Sequence, residues 1–99
     1  MRVGKTTSTF RKDDDEKVRA DLLPGQALLV VAKVLTLGAA KYGVDNWRKV
    51  DNVDRYKSAL MRHTLQWLAG EAIDKDSGES HLAHVVCNAM FLMELGGDK

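Results

Sequence analysis

The chain has 99 residues, 15 basic against 14 acidic side chains, and a formal net charge of +1, which is room for one domain and no more. So even a balance excludes a protein drawn to nucleic acid or membrane by its overall field, although a local basic pocket stays open. Its single cysteine, Cys87, excludes a disulfide framework, and the longest apolar run, "ALLVVA", is far short of the ~20 residues that span a bilayer.

Residues 1–20 are polar and include the acidic run Asp13–Glu16, so they are expected to form an extended or mobile arm. The opening "MRVGKTTSTFRKDDDE" has no apolar stretch of the kind a signal peptide needs. With a lone thiol read as a buried small hydrophobe, the expectation is a cytoplasmic protein. "GKTT" looks like the tail of a phosphate-binding loop, but it lacks the earlier glycine and the preceding strand that such a loop requires.

Pro24 suits the first turn of a helix, and Gly25–Ala40 is apolar on nearly every face, broken only by Gln26, Lys33 and Thr36. A helix apolar all round belongs in the middle of something. A domain this small buries only about 60% of its unfolded surface and has little middle to offer. A homo-oligomer with a shared core is therefore expected.

Gly38 and Gly43 bracket the end of that helix, and "KYGVDNWRKVDNVD" follows as a loop with room for a short extra helix within 44–54. Asp54 is placed as the N-cap of a second helix over Arg55–Ile73. "DKDSGE" forms the next loop, punctuated by Gly78, and a third helix runs from about Ser80 to Leu95 before Gly96-Gly97 stops it. The fold class is all-α: three main helices, a polar arm over 1–20, a single helical domain over 21–99, and a helical hairpin over 54–95.

All three histidines, His63, His81 and His84, fall within 22 residues, with Glu71 and Asp74 between them. On a helix Glu71 and Asp74 would share a face, while His81, His84 and Asn88 form a stripe at i, i+3 and i+7. Carboxylates and imidazoles at one end of a hairpin make a sensible shell for a divalent metal. Carboxylates favour Mg²⁺ or Mn²⁺, and imidazoles widen the choice to zinc, nickel or cobalt. The plain alternative is that these groups only cap loops or face solvent.

A second chemistry lies in "KYGVDNW". Tyr42 and Trp47 can stack on a base, Asn46 can pair with a base edge, and Lys41 with Arg48 can meet phosphate. Arg55 and Arg62 line one helical face and can clamp phosphate oxygens or pair with acids. Arg19 and Asp21 stand where the arm joins the first helix. The aromatic residues can equally well be core.

"RADLLP", "AKVLTLGAAKYGVDNWR" and "RYKSALMRHTLQWLAGEAIDKDSGESHLAHVVCNAMFLMEL", taken in succession over Arg19–Leu95, resemble the N-terminal domain of phage-encoded dATP/dGTP diphosphohydrolases. The resemblance rests on K-Y-G-x-x-N-W, R-H, G-E-x-x-D, S-G and H-L-A-H. It implies a protein of a phage-infected or prophage-carrying bacterium that binds a purine nucleotide and removes pyrophosphate with Mg²⁺ or Mn²⁺. More distantly the chain is similar to all-α MazG-type pyrophosphatases, whose E-x-x-D is matched by Glu71 and Asp74 and whose preceding E-x-x-E is missing.

Two functions follow. As an enzyme, the chain would use Glu71, Asp74 and His63 as catalytic groups, with Glu71, Asp74, His81 and His84 as the metal set. Lys41, Tyr42, Asn46, Trp47, Arg62 and Arg19 would bind the nucleotide. As a container, the same aromatic and basic residues would sequester a linear or cyclic nucleotide immune signal without cleaving it. Neither function calls for nucleic acid or a membrane as partner.

Overall fold

The computed structural model describes residues 17–96. These form three α-helices and two short 3₁₀ turns, with no β-structure among them beyond one isolated bridge, Ile73 to Ser80. After a 3₁₀ turn at Ala20–Leu22, helix α1 spans Gly25–Tyr42. A second 3₁₀ turn at Asn46–Lys49 fills the loop where a short helix was expected. Helix α2 spans Asp54–Leu68 and helix α3 spans His81–Glu94.

The middle place belongs to α3, which packs against both α1 and α2. Val31 and Val34 of α1 meet Ala83 and Cys87 of α3 in a small core, to which Leu35, Met90 and Phe91 add their sides. Cys87 is buried there, its thiol turned to the Val31 carbonyl at 3.7 Å, and burial pushes its pKa up to about 11. It packs as a small hydrophobe and has little thiolate to offer. Helix α1 buries only Val31 and Val34 and leaves Leu28, Leu29, Val30 and Leu37 exposed. Among the described residues no helix is long and apolar enough to cross a membrane.

Helix ends account for the differences from the expected boundaries. Helix α1 runs on to Tyr42 and stops at Gly43, whose φ of 103° suits glycine and whose N–H returns to the Ala39 carbonyl. Helix α2 starts at Asp54, but Asn52 does the capping, its Oδ1 accepting from the Asp54 N–H at 2.9 Å. Asp54 itself lies in the first turn, where a negative charge suits the helix dipole.

The larger correction is at the other end of α2, which stops at Leu68 rather than at Ile73. Gly70 takes φ 101°, its N–H bonds the Trp67 carbonyl, and the Glu71 N–H bonds the Gln66 carbonyl, both at 3.0 Å. That pair of bonds is a Schellman ending with Gly70 as its left-handed residue. Glu71 and Asp74 therefore do not share a helical face. They sit in the connection to α3, a tight turn closed by Asp74 N–H to the Glu79 carbonyl at 2.8 Å and His81 N–H to Ala72 at 2.9 Å. Ser80 caps α3, its Oγ accepting from the Leu82 N–H.

Candidate active site

Every histidine comes from the α2–α3 hairpin, and the hairpin puts all three in contact. His63 lies flat on His84, ring centroids 4.4 Å apart and planes 9° off parallel. The His63 and His81 Nδ1 atoms are 2.8 Å apart, and His81 Nε2 is 2.7 Å from Glu71 Oε1. His81 is fully buried, and His63 and Asp74 nearly so.

The bonding order fixes the protons. An ionised carboxylate only accepts, so His81 donates from Nε2 to Glu71 and keeps its Nδ1 lone pair when neutral. His63 must then donate from Nδ1 to His81 Nδ1, leaving His63 Nε2 as an acceptor. Burial, aided by the neighbouring His84 and Arg62, pushes the His63 pKa down from 6.5 to about 4, so its ring is neutral at physiological pH. Burial lowers His84 as well, against the pull of Asp74.

Asp74 is held ionised from the turn. Burial works against its charge, yet its carboxyl stays below the usual range because of hydrogen bonding from Ser77 and the nearby histidines. The Ser77 N–H donates to Asp74 Oδ2 at 2.9 Å. The Ser77 Oγ accepts from the Glu79 N–H at 3.1 Å and lies within hydrogen-bond distance of His84 Nε2, at 2.7 Å. Asp74 Oδ2 is 3.7 Å from the same His84 nitrogen. Asn88 lies one turn along α3 and donates to the His84 carbonyl at 2.8 Å.

His63, Asp74 and His81 offer one imidazole nitrogen, one carboxylate oxygen and one imidazole nitrogen within 4.8 Å of one another. Two neutral imidazoles and one carboxylate fit a divalent ion in donor chemistry. The expected set was Glu71, Asp74, His81 and His84. Of these only Asp74 and His81 belong to this group. Glu71 stands behind His81, and His84 is turned to Ser77.

The group opens into a cleft of about 1420 Å³. His63, Asp74, Ser77, His84 and Asn88 line one end, and Lys41, Tyr42, Asn46, Arg55 and Arg62 line the rest. Tyr42 is 62% exposed, with the Lys41 ammonium 5.4 Å from its ring centroid. Trp47 also borders the cleft, but Phe91 stacks on one face at 4.5 Å and the Arg48 guanidinium covers the ring at 4.3 Å. A base could reach that indole only by displacing Arg48. Tyr56 tilts on Phe91 and donates its hydroxyl to the Trp47 carbonyl, so this aromatic cluster anchors the loop that carries Asn46.

Arg19 lies apart from the cleft, in a two-pronged 2.9 Å contact with Asp21. Ser77 is the site residue that sequence reasoning did not select. The signal available for it was its place before Gly78, whose φ of 75° turns the hairpin and brings the serine under His84.

The sequence matches the family described as dATP/dGTP diphosphohydrolase, N-terminal, over residues 7–98. It is also 32% identical over 84 residues to a dATP/dGTP diphosphohydrolase of Salmonella phage PMBT28. That alignment covers 85% of this chain but only 29% of the relative's own length. No solved structure matches it. A match that takes in the whole histidine hairpin and the cleft-lining loop establishes that the chain belongs to the dATP/dGTP diphosphohydrolase N-terminal family.

Proposed function

We propose that this chain hydrolyses purine deoxynucleoside triphosphates to the monophosphate and pyrophosphate, with the reaction at the histidine end of the cleft. The observation that carries this reading is the nearly dry His63–Asp74–His81 group opening into a cleft bordered by Lys41, Arg55 and Arg62. The family and the relative's name supply the substrate class.

His63, Asp74 and His81 would hold the divalent ion, whose contribution when bound is to polarise phosphoryl oxygens and acidify water. Lys41, Arg55 and Arg62 bind the phosphate chain and offset the charge that develops on it. Tyr42 stacks on the base and Asn46 reads its edge. In the chemical step a water oxygen bonds to the α-phosphorus and the bond to the α–β bridging oxygen breaks. Pyrophosphate leaves with that electron pair. His84, in the tautomer with its proton on Nδ1, takes the water's proton at Nε2, the nitrogen 2.7 Å from the Ser77 hydroxyl.

Incubation of the purified chain with dATP or dGTP and Mg²⁺ or Mn²⁺ tests the reading. Monophosphate and pyrophosphate accumulating over many turnovers are expected. Intact nucleotide recovered only after heat denaturation would overturn hydrolysis and make the cleft a container.

The apolar surface of α1, with Met61, Leu65 and Leu68 of α2 also exposed, is proposed to pack against a second copy of the chain. Size-exclusion chromatography with light scattering should give a multiple of 11.0 kDa, and a monomer at working concentration would exclude it.

A further inference from the structure

Glu71 has the residue type and sequence spacing of a metal ligand, yet it stands outside the group that could hold one. Its Oε1 is spent on His81 Nε2 at 2.7 Å, and its Oε2 faces the Lys75 ammonium at 3.9 Å. It does not border the cleft, and the three donors that approach within 4.8 Å of one another are His63, Asp74 and His81. Between Glu71 and His63 lies His81, itself one of the three donors and with no exposed surface.

We propose that Glu71 is a positioning residue that fixes the tautomer and ring orientation of His81, and that the resulting two-imidazole, one-carboxylate site prefers Mn²⁺, Co²⁺ or Zn²⁺ to Mg²⁺. This rests on the metal-dependent reading above. The second part follows from donor chemistry. Mg²⁺ favours oxygen and gives up its waters reluctantly, whereas imidazole nitrogen suits the later divalent ions. The first part follows from how a buried imidazole is used. With Nε2–H held by a carboxylate, the lone pair is confined to Nδ1, the nitrogen that faces His63. The carboxylate also makes that nitrogen more basic, which strengthens its bond to a cation. A cation taken up between the two Nδ1 atoms would displace the proton held there, and that proton moves to the free His63 Nε2, so both imidazoles bind as neutral ligands.

The test is metal binding to the full chain without nucleotide, followed by calorimetry and by the visible absorption of Co²⁺. One Co²⁺ or Mn²⁺ per chain is expected, bound at least tenfold tighter than Mg²⁺. The Glu71→Gln variant keeps an acceptor for His81 Nε2–H but loses the charge, and should bind Co²⁺ about 10–100-fold more weakly with its absorption bands shifted but present. Glu71→Leu removes the acceptor and should weaken binding further, while Asp74→Ala should abolish it.

Equal affinity for Mg²⁺ and Mn²⁺ would overturn the selectivity. Loss of all Co²⁺ binding in Glu71→Gln would overturn the positioning role and make Glu71 a ligand. A well-folded Glu71→Leu variant that binds as the wild type does would make the contact merely structural. Failure of hydrolysis is read separately: tight Co²⁺ without turnover leaves the site and removes the enzyme, whereas turnover in Mg²⁺ without tight Co²⁺ does the reverse.

Discussion

Asp74→Asn is expected to lower the turnover of dATP or dGTP by about 10²–10³-fold, the range for losing one preorganised charged group at a reacting centre. The substitution changes charge at nearly constant shape. An asparagine keeps an oxygen to accept the Ser77 N–H, so the turn between α2 and α3 should close as before. Its amide cannot supply the ionised oxygen that stands with His63 and His81. Steady-state kinetics on the variant, with circular dichroism as the folding control, decides the matter. A kcat within threefold of wild type would remove Asp74 from the chemistry. A folding defect of more than about 2 kcal/mol would mean that its main work is closing the turn.

The contrast with Glu71→Gln is informative because the two acids looked equivalent in the sequence. Spacing of three residues is helical spacing, and nothing in the composition of "WLAGEAID" forbids a helix through it except Gly70. That glycine ends α2 in a Schellman arrangement, and from there the chain turns back. One acid is then directed to the cleft and the other to the far side of His81. The exchange depends on a tertiary contact across the hairpin, His81 with Glu71, and such contacts are not periodic. The start and end of α3 were legible because their signals are local: a serine that caps its own second residue's N–H and a glycine at φ 78°. The all-α class was legible from the length and apolarity of α1.

The loop proposed to face the nucleotide shows the same division. Lys41, Tyr42 and Asn46 line the cleft, with Lys41 in contact with the Tyr42 ring. Trp47 and Arg48 carry equally suitable side chains, but they are used on each other and on Phe91, 44 residues away in sequence from the indole. Residue type indicates what a side chain can do. Which of its faces remain free is decided by the helix packed beneath it.

The chelated protein should lose stability steeply between pH 6.5 and pH 4. In the folded state the His63 pKa is about 4, against an ordinary 6.5. In that interval the unfolded chain binds a proton at this residue and the folded chain does not, so stability rises with pH. The contribution is complete above 6.5 and is lost as pH falls toward 4, amounting to about 3 kcal/mol for His63 alone at 1.36 kcal/mol per pKa unit. The groups facing it agree in sign on balance: Arg62, His81 and His84 oppose its charge, and only Asp74 favours it. The lowered pKa of His84 adds in the same direction. For a small domain with about 5–15 kcal/mol in total, such a loss is large. Urea denaturation at pH 7.0 and pH 4.5 in the presence of chelator measures it, and His63→Gln should flatten most of the difference. The physical reason is a stack of imidazoles with no room for a charge. Two rings lie 4.4 Å apart face to face, and a third touches the first edge-on through a shared proton, so protonating any one places a cation against its neighbours in a nearly dry pocket. An unchanged midpoint across that pH range would mean that water reaches the stack and that His63 is no drier than a surface histidine. The same wetness would remove the argument for a preformed metal site, because such a site needs the imidazoles neutral and fixed before the cation arrives.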